Sequence, residues 1–116
     1  QQRYRFIGNG ELSEDDRIRL ECGFEEGRKW SKANFRLGVF IELPYDVRSS
    51  NYMSPFWRGW HEGYMSSNME IIQQDYPNHS SITLKSDSGV LGDGSPMWYE
   101  IVYRDGRKER VDCYYA

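Results

Sequence analysis

The chain has little of what small metal-binding, disulfide-rich or catalytic domains need. Its 116 residues include two cysteines and two histidines, whereas structural zinc takes about four such ligands. Cys22 and Cys113 lie near opposite ends of the chain, and His61 and His79 have no metal-motif spacing. We therefore expect no cofactor, no metal and two free thiols in a reducing cytoplasm. One long-range disulfide between Cys22 and Cys113 is the alternative, because a small chain gains stability from such a link.

Recognisable catalytic motifs are also missing. His61-Glu62 lacks the second histidine four residues later that would place two zinc ligands on one helix face. The glycine-rich segment 89–94 has no following Lys-Ser or Lys-Thr, so it is not a phosphate-binding loop. Neither cysteine has flanking residues typical of a nucleophile. The sequence therefore predicts a protein that is not an enzyme.

Long apolar runs and an excess of positive charge are absent as well. No segment approaches the roughly 20 apolar residues that span a bilayer, so we expect no membrane partner. Lys and Arg total 15 against 18 for Asp and Glu, giving a net charge of −3. Because neutralisation of phosphates supplies much of the affinity for nucleic acid, this balance argues against a broadly cationic surface.

Aromatic residues, by contrast, are abundant. They make up 16% of the chain, with four Trp and nine Tyr, which is more than the core of one small domain should need. Tyr, Trp and Arg are the residues most enriched at the energetic centres of protein interfaces. Rings interleaved with arginines can also stack on unpaired RNA bases. The composition therefore favours a binding protein.

Two helices are predicted in the N-terminal half. The first begins at Ser13, whose hydroxyl can cap the first turn, and buries the stripe Leu20, Phe24, Gly27 and Ser31. The second begins at Ser54-Pro55 and ends at the segment 75–78. Its inward residues are expected to be Phe56, Trp57, Trp60, Tyr64 and Ile71. Between the helices we expect a short helix or buried connector over 35–43 and a surface loop over 45–54.

The C-terminal part changes to a period of two residues. It predicts a strand over 82–85, a loop over 87–96 and a hairpin in which Asp105-Gly106 forms a two-residue type I′ turn. With Arg104 opposite Arg107, the expected core face carries Trp98, Val102, Val111 and Cys113. We therefore predict one α+β domain over 1–116, with a helical pair at about 12–76 packed on a small antiparallel sheet at about 80–116.

A glycine pattern occurs twice inside the predicted helices. The two segments are Gly23-Phe24-Glu25-Glu26-Gly27 and Gly59-Trp60-His61-Glu62-Gly63. Glycine in a helix interior costs roughly 1 kcal/mol relative to alanine, which is tolerable where two backbones must approach closely. We assign Gly23, Phe24, Gly27, Gly59 and Gly63 to helix packing. The alternative is that one glycine strip leaves room for the backbone of a partner.

The same region resembles the ribosome modulation factor family. The likeness covers about residues 20–63 and rests on the order of glycines, aromatic residues and a Pro-Tyr pair. The matching positions are Gly23, Phe24, Gly27, Pro44, Tyr45, Trp57, Gly59, Trp60 and Glu62. The resemblance implies a small cytoplasmic protein with two helices joined by a connector, which binds the small ribosomal subunit and silences translation.

The leading hypothesis is a non-enzymatic cytoplasmic regulator of translation that binds ribosomal RNA or a ribonucleoprotein. The alternative is a small inhibitor of the phage or mobile-element type, which blocks a bacterial defence complex or another protein complex. Both would use the same exposed rings and cations. The predicted binding residues are Arg28, Lys32, Tyr45, Arg48, Trp57, Arg58 and Trp60.

Overall fold

The structure, a computed structural model, describes residues 12–37, 42–50, 53–90 and 95–113. The predicted α+β fold is confirmed, with the helices in the N-terminal half and an antiparallel sheet in the C-terminal half. Within these ranges, no helix is both long enough and apolar enough to cross a membrane. The elements in chain order are α1 (Glu14–Asn34), α2 (Tyr45–Arg48), α3 (Pro55–Asp75), β1 (His79–Ser86), β2 (Met97–Tyr103) and β3 (Lys108–Cys113).

Helix α1 begins where its sequence predicts. The side-chain hydroxyl of Ser13 accepts a hydrogen bond from the backbone N–H of Asp16 at 3.1 Å. Acidic side chains occupy the first turn, where the positive end of the helix dipole favours them. The predicted stripe is confirmed, because Leu20, Phe24, Gly27 and Ser31 are all buried. One face of α1 is therefore committed to packing along most of its length.

Helix α3 also follows its sequence signals. Pro55 occupies the first turn, and the helix ends at Asp75, just before Tyr76 and Pro77. The expected inward residues are buried or half-buried, but the deepest residue near the C-terminal end is Ile72, which has no exposed surface. The adjacent Ile71 is half-buried and packs at the edge of the same cluster.

The two long helices lie side by side and run in the same direction. Gly23 faces the stretch from Phe56 to Trp60. Two turns further on, the side-chain hydroxyl of Ser31 lies 2.5 Å from the side-chain oxygen of Asn68. Contacts that advance together along both helices define a parallel pair. The connector over 35–54 must therefore return the chain to the starting end of the pair.

The connector differs from the predicted surface loop. Residues 45–48 form the short helix α2, and Val47 is buried on α3 together with Leu43. Leu43 comes just before the N-cap residue Pro44, Val47 lies within α2, and both pack in one cluster with Trp60 and Tyr64. At the start of the connector Phe35 is buried. Residues 38–41 lie outside the described residues, as do 51–52.

The sheet has the order β1-β2-β3 with antiparallel neighbours. The first strand is longer than predicted. The hairpin loop has three residues rather than two, because the backbone N–H of Tyr103 donates to the carbonyl of Arg107 at 2.8 Å. Only Gly106 of this loop has a positive φ, at 94°, and its N–H donates to the carbonyl of Tyr103 at 3.0 Å. The predicted type I′ turn is therefore wrong, and a type I turn closed by a glycine bulge replaces it.

The extra loop residue shifts the register of the hairpin by one position. Tyr99 now lies opposite Val111, and a shift of one residue exchanges the faces of a strand relative to its neighbour. The predicted core residues Trp98 and Val102 consequently lie on the outer face. Tyr99 and Ile101, which are 1% and 0% exposed, form the core instead.

One apolar cluster joins the helical and β parts of the chain. Phe35, Ile72 and Tyr99 form its buried centre, one residue each from the end of α1, from α3 and from β2. The side chains that surround this centre come from both parts of the chain. They are Leu37, Met69, Ile71, Tyr76, Ile82, Leu84 and Met97.

Candidate functional site

The glycines of α1 lie directly against the backbone of α3. A Cβ atom on Gly23 would overlap the carbonyl oxygen of Phe56 and come within 2.9 Å of the backbone nitrogen of Trp60. A Cβ on Gly27 would overlap the carbonyl oxygen of Trp60 and lie 3.0 Å from the nitrogen of Tyr64. Both positions therefore require glycine because the facing backbone occupies the space of a side chain.

The glycines of α3 make the reciprocal contact with α1. A Cβ on Gly59 would overlap the carbonyl oxygen of Leu20, and one on Gly63 would overlap that of Phe24. The backbone of each helix therefore occupies the space beside the glycines of the other helix, and neither pair of glycines is open to the backbone of a partner protein. The structure places all five residues assigned to helix packing in this contact, including Phe24, which is 3% exposed.

Trp60 belongs to the core and not to the surface. Its side chain is 5% exposed, and its ring stacks on that of Tyr64 with centroids 5.4 Å apart. The ring centroid of Trp30 on α1 lies 5.9 Å from that of Trp60. The prediction that Trp60 contributes to an exposed binding surface is therefore wrong, because burial against three elements uses its ring for packing.

Arg28 joins α1 to α3. Its guanidinium donates two hydrogen bonds to the carboxylate of Glu70, at 2.9 and 3.1 Å, and lies 3.4 Å from the hydroxyl of Ser66. The hydrogen bond from Arg28 lowers the pKa of Glu70 below its ordinary value. Arg28 is thus engaged within the fold rather than free for a ligand, whereas Lys32, one turn later, is exposed.

Tyr45 and Arg48 project from α2. The ring of Tyr45 is 71% exposed, and the guanidinium carbon of Arg48 lies 5.7 Å from its centre. Arg48 also donates to the carbonyl of Leu43 at 3.0 Å and approaches the carboxylate of Glu42 at 3.5 Å. An exposed ring and a partly oriented cation therefore stand next to each other on this short helix.

Trp57 and Arg58 lie at the start of α3, the helix on which Val47 of α2 packs. Both residues are half-buried, and Trp57 packs against the cluster that contains Val47 of α2. Its ring meets that of Phe56 edge to face at 4.8 Å. The fold thus brings together two predicted binding segments that are separated in sequence. We call this area the connector surface and define it by the four residues Tyr45, Arg48, Trp57 and Arg58.

An open cavity of about 300 Å³ adjoins the connector surface. It is lined by Met53, Arg58, His61, Glu62 and Met65. The four residues from α3 are spaced so that they share one face of the helix. Burial lowers the pKa of His61, which favours its neutral form. The spacing of the four α3 residues in the sequence indicates that they share one helix face. Only the position of Met53 in the structure shows that this face borders a cavity.

No family model, curated protein or solved structure matches this chain. Within the described residues, no three side chains of His, Cys, Asp or Glu are grouped so as to hold a metal ion. Cys22 is exposed on α1 as a free cysteine, so the alternative disulfide is not formed. The side chain of Cys113 lies outside the described residues.

Many cations of the described chain face carboxylates on the molecule itself. The pairs are mostly exposed, and each of them reduces the field that a distant polyanion would experience. The cations in such pairs are Arg17, Arg19, Arg28, Lys29, Arg48, Lys85, Arg107 and Arg110. Any binding to nucleic acid must therefore rest on a local arrangement and not on overall charge.

Proposed function

We propose that this chain is a non-enzymatic cytoplasmic regulator that binds a ribonucleoprotein, in the manner of a ribosome-silencing factor. The connector surface is its contact site. The observation that supports this function is the convergence of rings and cations from two separate segments. Tyr45 and Arg48 come from α2, and Trp57 and Arg58 come from α3.

The chemistry of the connector surface suits RNA. An exposed phenol ring such as that of Tyr45 can stack on an unpaired base, and the guanidinium groups of Arg48 and Arg58 can bind phosphates. Sequence-specific proteins recognise RNA mostly through single-stranded loops and ends, where bases are accessible. A compact surface of this kind can therefore bind a ribosomal RNA loop although the whole chain is acidic.

The resemblance to ribosome modulation factor supports the proposal in two different ways. Its glycines, together with Phe24 and Trp60, are buried in the α1–α3 contact, which is the role that the two helices implied by the resemblance would need. Tyr45 and Trp57 also match the family and lie on the connector surface. Tyr45 and Trp57 therefore connect the resemblance with the proposed contact site.

Co-sedimentation with ribosomes at several salt concentrations tests the proposal. Binding to RNA releases counterions, so the affinity should fall steeply as salt rises. Charge reversal at Arg48 and Arg58 together should abolish co-sedimentation. The matched control reverses Arg104, an exposed cation in the hairpin loop. Binding that survives the double reversal, or that does not change with salt, contradicts the connector surface as an RNA site.

Inhibition of a bacterial protein complex is the second candidate function. The specific observation in its favour is the neutralisation of most described cations by neighbouring carboxylates, which suits a protein partner better than a polyanion. Affinity purification with and without nuclease separates the two candidates. A single protein complex recovered without ribosomal RNA, and unaffected by nuclease, favours the inhibitor.

A further inference from the structure

The cavity beside the connector surface has no role in the helix packing described above. We propose that it binds one unpaired nucleobase that carries an exocyclic amino group, as part of a single-stranded RNA segment. This inference rests on the proposed function, because the base would belong to the RNA that the connector surface binds. Its lining residues are Met53, Arg58, His61, Glu62 and Met65.

The size of the cavity fits a single ring system. Its volume of about 300 Å³ lies at the lower end of the range for ligand pockets. Two methionines, Met53 and Met65, supply thioether groups, which make favourable contacts with the edges and faces of aromatic rings. Met53 is 66% exposed and can adjust to a flat ligand, because the methionine side chain has three rotatable bonds.

The polar side chains of the cavity favour a base over an aromatic side chain of a protein. Glu62 accepts hydrogen bonds and Arg58 donates them, and both lie on the same face of α3 as His61. The edge of an amino-bearing base presents donors next to an acceptor and can satisfy both groups at once. A tryptophan side chain offers a donor for Glu62 but no hydrogen-bond acceptor for Arg58.

The position of the cavity fits a continuous RNA strand. Arg58 belongs to both the cavity and the connector surface, so its guanidinium can bind the phosphate of a nucleotide whose base lies in the cavity.

Methyl NMR of the intact chain, labelled with carbon-13 at the methionine methyls, tests the proposal. The chain has four methionines. Met53 and Met65 line the cavity, whereas Met69 and Met97 pack against the opposite cluster and serve as internal controls. The probes are short single-stranded oligoadenylate, oligocytidylate and oligouridylate, together with N-acetyltryptophanamide. Ring currents from a bound base should shift the methyl resonances of Met53 and Met65 only.

The expected specificity follows from Glu62. Oligoadenylate and oligocytidylate should produce the shifts at lower concentration than oligouridylate, whose bases lack an exocyclic amine. Glu62→Gln should weaken the binding of the amino-bearing oligonucleotides about tenfold, the loss expected for one charge-assisted hydrogen bond. The matched control is Glu21→Gln, which removes the same charge from an exposed position on α1.

The outcomes separate this proposal from the proposed function. Shifts confined to Met53 and Met65, weakened by Glu62→Gln and not by Glu21→Gln, support the base site. The proposal is overturned if these methyls do not move with any oligonucleotide, or if they respond to N-acetyltryptophanamide alone. In that case, ribosome co-sedimentation that still depends on Arg48 leaves the regulatory function in place. If neither the methyl shifts nor ribosome co-sedimentation is observed, both the proposed function and the base site are contradicted.

Discussion

The helical pair and the sheet are stabilised in opposite ways. In the pair, four glycines bring two backbones together, so that the space of a side chain is occupied by a carbonyl oxygen of the other helix. In the sheet, large side chains such as Tyr99 and Ile101 fill the core and are almost fully buried. The helical pair therefore depends on the lack of side chains at its glycines, whereas the sheet depends on large side chains that fill its core.

This difference means that one methyl group has opposite consequences in the two regions. Adding a methyl to a glycine of the pair forces two helices apart, and rigid backbone cannot move aside as a flexible side chain can. Removing a methyl from the sheet core leaves a small cavity that neighbouring side chains partly fill. We therefore expect the helical pair to tolerate substitution less than the sheet does.

The largest effect is expected for Gly23→Ala. The new methyl would overlap the carbonyl oxygen of Phe56, so the pair must separate along much of its length. We expect the free energy of unfolding to fall by about 3 kcal/mol or more, although alanine favours a helix by about 1 kcal/mol. Urea denaturation monitored by circular dichroism measures the change.

The control for this substitution is Glu21→Ala, at an exposed position on the same helix. It changes helix propensity without a contact on α3 and should alter stability by no more than about 0.5 kcal/mol. A Gly23→Ala protein as stable as this control would show that α1 and α3 are not in backbone contact, and would remove the physical reason for the glycine pattern.

The glycine pattern was also the part of the fold that the sequence predicted best. Four glycines at two repeated spacings have a clear cost in a helix, and close contact is the simplest compensation. The hairpin was harder to predict, because Asp105-Gly106 is compatible both with a two-residue type I′ loop and with a three-residue loop that also includes Arg104. Since Trp98 and Tyr99 are both aromatic, hydrophobicity did not identify the inward residue either.

The second effect concerns the hairpin loop. Gly106 has a φ of 94°, and a Cβ atom added there would meet no other atom within 4 Å, so only backbone conformation is at issue. We expect Gly106→Ala to lower stability by about 1 to 2 kcal/mol, the cost of the left-handed region for an L-residue. Gly106→Asn should cost less, because asparagine adopts positive φ more readily. Thermal denaturation of both variants measures the difference, and equal losses would contradict a conformational cause.

The third effect is the loss of a methyl from the sheet. Ile101 has no exposed surface, and Ile101→Val removes one buried carbon. We expect a loss of about 1 kcal/mol, measured by the same urea denaturation as Gly23→Ala. The control is Val102→Ala on the outer face of the same strand, which removes two carbons rather than one but from a side chain that is only half-buried. If Ile101→Val costs as much as Gly23→Ala, the proposed contrast between the two regions is wrong.

The candidate site was predictable only in part. Tyr45, Arg48, Trp57 and Arg58 could be selected from the sequence because rings and arginines are typical of interfaces. Which cations are engaged inside the fold depends on three-dimensional partners, and the partner of Arg28 lies 42 residues away at Glu70. Spacing on one helix cannot reveal a partner on another helix.

The smallest effect is expected for the Arg28–Glu70 ion pair, a partly exposed side-chain link between α1 and α3. Half of the Glu70 side chain is exposed, so the coupling free energy should be no more than about 0.5 to 1 kcal/mol. A double-mutant cycle with Arg28→Met and Glu70→Gln at neutral pH measures it. Because the backbone contact is independent of this pair, all three variants should remain folded.

The pH dependence of that coupling identifies its origin. Arg28 lowers the pKa of Glu70 in the folded chain, so its stabilisation is complete above the pKa of the unfolded carboxyl group. It is lost as the pH falls through the lower folded-state pKa, when Glu70 takes up a proton. The cycle repeated near pH 3 should therefore give a smaller coupling. A coupling that does not change with pH would assign the link to packing of the arginine stem, and the charge of Glu70 would then contribute nothing to the helical pair.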